Sequence, residues 1–202
     1  MSSANLSRWI PFAALVSGLA WAFSGVIHYL MVFPEAGTGP VGATSYYLIE
    51  AAHTIAEAAI LIVLLGLRPR LASHKGWLKR IGLASAVFGT AFLVLLTLIA
   101  VVLPPFIGEE ALSNSFWENV LTISFTLGML GTLVGFILLS ILTFKTSFLP
   151  RWCAVMFLAY PLLFFLLLFL YGIGGIGLGL VWLMLGIGLR RPTVGVVLSP
   201  VG

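Results

Sequence analysis

Between Arg151 and Arg190 the chain carries no charged residue. One straight helix over residues 152–189 would be roughly 57 Å long, nearly twice the roughly 30 Å hydrocarbon core of a bilayer. Such a segment has no place on a soluble surface, and to remain in lipid it has to turn back on itself. The rest of the chain agrees: 61% of residues are hydrophobic, 8% are charged, mean hydropathy is +1.17 and Asp is missing altogether. A soluble domain carries about 25% charged residues. At roughly 20 residues per crossing, 202 residues hold five or six spans and leave no room for a separate nucleotide-binding or catalytic head.

The expected fold is therefore an all-α polytopic membrane bundle forming one integral domain. Its six spans are read at residues 9–33, 44–67, 81–103, 117–144, 152–170 and 174–189. The first ends at Pro34-Glu35 and lacks both the short apolar core and the small-residue cleavage pattern of a secretory signal, so it is expected to remain in the protein. A turn-rich linker, 34–42, leads to the second span, which Arg68-Pro69-Arg70 stops because proline cannot donate the helical hydrogen bond. The third halts at Pro104-Pro105, ahead of an acidic loop with Glu109 and Glu110. The last two spans are expected to meet in a hairpin at Tyr171-Gly172-Ile173-Gly174-Gly175-Ile176-Gly177, where glycine accommodates a tight turn.

Charge placement tests the count. With the amino terminus inside, all ten basic residues fall on the cytoplasmic side: Arg8, then Arg68, Arg70, Lys75, Lys79 and Arg80, then Lys145 and Arg151, then Arg190 and Arg191. A five-span chain would strand the last two outside. Both termini are thus expected in the cytoplasm, and the net charge of +4 reports membrane orientation; nothing else points to nucleic acid. The basic second loop could also touch anionic headgroups, at on the order of 1 kcal/mol per basic residue. Glu35, Glu109, Glu110 and Glu118 sit in outer loops or at an outer helix end, which leaves Glu50 and Glu57 inside a span.

Those two belong to a polar stripe. At about 100° per residue, His53 lies roughly 60° from Glu50 and Glu57 roughly 20°, so the three share one face, flanked by Tyr46 and Thr54. On the first span Ser17, Trp21, Ser24 and His28 recur at helical spacing, and the antiparallel geometry brings His28, Glu50 and His53 to similar depth in the outer half, with Glu57 about a turn deeper. An ionised, unpaired carboxylate in the membrane costs a few kcal/mol or more, so such acids face the bundle interior and often mark function.

Several chemistries use these residue types. A self-satisfied polar core would tie helices together. Proton transfer would use Glu57 or Glu50 as acid/base with His53 as partner. A metal could be held by His28, Glu50, His53 and Glu57, although the Glu50-x-x-His53 spacing of di-iron bundles has no second copy here. Haem would take His28 and His53 as axial ligands. The leading expectation is no cofactor. Cys153, the only cysteine, is expected to pack at a helix end, with palmitoylation the alternative, and His74 is expected to be solvated in the basic loop.

The fourth span carries Gly131-Thr132-Leu133-Val134-Gly135, and a second GxxxG runs from Gly175 to Gly179; both are expected to serve internal packing ahead of a dimer interface. Tyr160-Pro161 should kink the fifth span. Trp9, Trp77, Trp117 and Trp152 mark span ends. The chain has no Walker loop, HExxH, nucleophile elbow or voltage-sensor arginine ladder, which argues against nucleotide-driven pumps, zinc proteases and voltage-gated channels.

The order of Ser17-Gly18-Leu19-Ala20-Trp21, Ser147-Phe148-Leu149-Pro150-Arg151-Trp152 and Gly179-Leu180-Val181-Trp182-Leu183-Met184-Leu185-Gly186 resembles a broad class of six-helix bacterial membrane proteins grouped as a domain of unknown function. That resemblance implies a multi-pass protein of the bacterial inner membrane and brings no catalytic residues. His53-Thr54-Ile55-Ala56-Glu57 also offers a chemical analogy, through its i, i+4 His/Glu pair, to the emopamil-binding, sterol isomerase-type membrane proteins. The functional expectation is a structural or small-ligand-binding membrane component with a Glu/His pocket between the first two spans. Alternatives are proton-transfer chemistry on a lipophilic substrate and transport of a proton or small solute. Its partners would be the bilayer and, in addition, a second copy or a membrane-complex subunit.

Overall fold

A computed structural model describes residues 3–32, 43–72, 74–103, 106, 115–146 and 148–190. Among them every long element is a helix: α1 (Ser3–Val32), α2 (Ala43–Arg70), α3 (Trp77–Val102), α4 (Ser115–Thr146) and α5 (Arg151–Leu189). Helices are what lipid demands, since each backbone N–H and C=O is satisfied within its own segment. The expected linker 34–42, Pro104-Pro105, and the charges of Glu35, Glu109, Glu110 and Arg191 lie outside the described residues, as do the side chains of Arg8 and Glu118.

The 39 residues of α5 do not run straight. A Cβ added at Gly177 would stand 3.1 Å from the Leu163 side chain, and one at Gly188 would run into the Trp152 ring and stand 2.9 Å from Cys153 Sγ. The Tyr160 and Trp182 rings lie 5.6 Å apart. Residues so far separated meet only if α5 is a hairpin, with a first arm at Arg151–Leu166 and a second at Gly172–Leu189. Six helices result, and five of them (Trp9–Leu30, Tyr46–Arg70, Trp77–Val102, Asn119–Thr146 and Gly172–Leu189) are long and apolar enough to cross a membrane.

The fold-back agrees with the length argument, but its glycines do other work. Gly172, Gly175 and Gly177 belong to the second arm and not to the turn. Gly172 and Gly175 press against α1, where a Cβ on Gly25 would sit 2.7 Å from the Gly172 carbonyl oxygen. Further along the same seam Gly18 opposes Gly179, and Pro11 lies beside Gly186. The α3–α4 pair uses the same device: Gly131 faces Gly89, and Gly135 faces Ala86. Both GxxxG patterns are thus absorbed inside one chain, where missing Cβ atoms let backbones approach.

Neighbour packing runs α1–α2, α2–α3, α3–α4, α4–α5 and back from α5 to α1, closing a ring. Its centre is aromatic. Phe136, Phe157, Tyr160 and Trp182 are fully buried, with ring separations from 4.6 to 5.9 Å. Arg70 donates from Nη2 to the Leu189 carbonyl at 3.2 Å, joining the end of α2 to the end of α5. That link, the meeting of Trp152 with Gly188 and the short connection from α4 to α5 place the basic residues from Arg68 to Arg190 at one end of the bundle. Pro11 beside Gly186 brings the start of α1 to that end too.

Two sequence expectations change here. His74 is half-buried, its ring 6.0 Å from Phe148 and its backbone N–H bonded to the Leu71 carbonyl, because the basic loop folds back on the helix it leaves. Trp152, expected only to mark a span end, packs across the hairpin. Cys153 is fully buried beside Gly188 and Arg70, which keeps its thiol in the packing.

Candidate functional site

The α1 and α2 stripes meet. Ser24 Oγ lies 2.6 Å from His53 Nε2, so the serine fixes the imidazole from the neighbouring helix. His53 Nδ1 faces Glu50 Oε2 at 3.8 Å, one helical turn back. The His28 ring stacks over His53 at 5.9 Å, and Trp21 covers it at 4.8 Å. His28, Glu50 and His53 therefore share one depth, as their spacing implies. The side chains of His53 and Glu50 remain 14% and 20% accessible, so this cluster is covered but not sealed.

Glu57 follows a different course. It is only 2% exposed, and the Tyr160 hydroxyl donates to its Oε1 at 3.0 Å from the first arm of α5. Glu57 shares the α2 face with Glu50 and His53, yet its partner lies deeper in the ring. Sequence pattern supplied no reason to join Glu57 to Tyr160, whose adjacent proline suggested a kink alone. Phe164 completes the wall between the two levels, its ring 6.1 Å from Trp21 and 6.0 Å from Tyr160.

The flanking residues contribute less. Thr54 spends its hydroxyl on the Glu50 backbone carbonyl at 2.9 Å. Tyr46 is exposed and packs edge-on against Tyr47. On another side of the α1–α2 pair lies an open groove of about 410 Å³ lined by Val16, Leu19, Ala20, Phe23, Leu48, Ala51, Ala52 and Ile55, all apolar. On the helical wheel the α2 residues of this groove centre roughly 180° from Glu50, His53 and Glu57. The polar stripe thus points inward and the groove outward.

This geometry bears on the metal and haem expectations. Among the described residues no three His, Cys, Asp or Glu side chains cluster tightly enough to hold a metal ion. Glu57, the fourth expected ligand, has turned to Tyr160. Both nitrogens of His53 are directed at protein groups, Ser24 and Glu50, and its ring lies against His28 instead of opposing it across a shared centre. What the arrangement offers is a histidine held between a hydroxyl and a carboxylate, a set suited to hydrogen bonding and proton exchange.

Comparison of the chain with protein-family models, with curated proteins and with solved structures finds no match.

Proposed function

We propose that this is a six-span protein of the bacterial inner membrane, with both termini cytoplasmic, that binds a small hydrogen-bonding ligand at Ser24, His28, Glu50 and His53. The observation that carries the reading is the contrast between the two glutamates on one helix face. Glu57 is sealed and bonded to Tyr160, whereas Glu50 keeps a fifth of its side chain accessible and stands 3.8 Å from His53, beyond direct hydrogen-bonding distance. A carboxylate that only held helices together would be enclosed as Glu57 is, because lipid penalises a loose polar group. The topology rests on the basic residues gathered at one end of the bundle, with the start of α1 and the end of α5 beside them.

Small molecules co-purifying with the protein in lipid nanodiscs, extracted and identified by mass spectrometry, test the binding reading. E50Q and H53Q should lose a species that the parent and Y160F retain, while their unfolding temperatures stay close to the parent's. Unfolding temperatures that fall with no change in bound species would make the cluster structural. Labelling of single cysteines placed at the exposed Lys75 and Phe106 from the two sides of sealed vesicles tests the orientation, with position 75 expected inside.

A further inference from the structure

Below the Glu50–His53 cluster lies a second polar level with an unmet chemical demand. Ser17, Trp21, Glu57 and Trp182 are each at least 98% buried. Ser17 Oγ, Trp21 Nε1, Glu57 Oε2 and Trp182 Nε1 have no hydrogen-bond partner in the protein. Tyr160 ties the group together: it bonds Glu57, its ring lies 5.6 Å from Trp182, and Phe164 links it to Trp21. Ser17 stands one turn before Trp21 on the same face of α1. Pro161, next to Tyr160, has no N–H and withdraws the usual donor from the Phe157 carbonyl one turn back.

These atoms define the occupant. Indole N–H groups can only donate, a carboxylate oxygen accepts, and a hydroxyl does both. The complement must accept and donate at once and be small enough for a packed interior. Buried polar groups left unbonded cost about 1–3 kcal/mol each, which bound water removes by making typically three hydrogen bonds. We propose that this level is an internal hydration site, with ordered water bonded to Glu57 Oε2, Ser17 Oγ and the two indole N–H groups. The water gives Glu57 a proton-exchange partner within the membrane, apart from the ligand cluster above.

Hydroxyl-radical footprinting with synchrotron pulses tests this on the full chain in nanodiscs, because radiolysis of bound water labels adjacent side chains even when they are buried. A bulk radical scavenger should suppress labelling at the exposed Trp9 and Trp77 and leave labelling at Tyr160 and Trp182. Folded E57L, which keeps the volume and removes the carboxylate that binds the water, should lose labelling at Trp182. If E57L does not fold, S17A should lower it. Buried rings that stay unlabelled, that are quenched in parallel with Trp77, or that are labelled equally in a folded variant would overturn the proposal.

Discussion

Tyr160 donates to Glu57 across 103 residues of sequence, and the bond spans α2 and the first arm of α5, two elements that otherwise share little backbone contact. It encloses the deeper glutamate while leaving Glu50 and His53 half-covered one level above. The same face of one helix thus carries two acids with different surroundings.

Removing the hydroxyl should be costly. Y160F leaves a buried carboxyl without its donor and is expected to destabilise the protein by about 1–3 kcal/mol. E57Q keeps an acceptor for Tyr160 and should cost less. Denaturant unfolding in detergent, followed by tryptophan fluorescence, gives both values. Equal stability of Y160F and the parent would show that this bond contributes nothing.

Ser24→Ala should cost less than Y160F. Hydrogen bonds between membrane helices average about 0.6 kcal/mol, and the His53 side chain stays partly accessible whereas Glu57 is enclosed. Nitrogen NMR of labelled imidazoles should show a changed Nε2 environment at His53 in S24A, with the fold retained. An unchanged His53 signal would mean that the two groups do not bond.

The glycine seams should be intolerant of a methyl group. Gly25→Ala meets the Ile176 backbone nitrogen at 2.5 Å and Gly131→Ala meets the Gly89 Cα at 2.9 Å, so each has to push two helices apart. Overpacking of this kind costs about 1–3 kcal/mol. Gly177→Ala meets only the movable end of Leu163 and should lose less. Gly76→Ala has open space but a φ of +127°, so its cost comes from backbone strain of about 1–3 kcal/mol. Unfolding temperatures of the four variants in one detergent provide the ranking.

The hairpin can be trapped chemically. With Cys153 replaced by Ala, the pair L163C and G177C should form a disulfide under mild oxidation, detected by a mobility shift that reductant reverses. In a straight helix those positions would stand about 21 Å apart, far beyond disulfide reach. Failure to crosslink in a folded protein would contradict the antiparallel arms.

Helicity, the long apolar helices and the fold-back of the last apolar stretch were legible in the sequence, because lipid leaves the backbone few alternatives and charges cannot be hidden in it. The shared depth of His28, Glu50 and His53 followed from helical periodicity and antiparallel connection. What periodicity could not supply was the partner of Glu57, since Tyr160 is brought to it by the ring of helices and not by local spacing. The service of Gly172 and Gly175 as contacts for α1 was likewise decided by the tertiary structure. A helical wheel ranks the faces of one helix, but only packing determines which neighbour each face meets, and with it which of two glutamates is enclosed and which stays within reach.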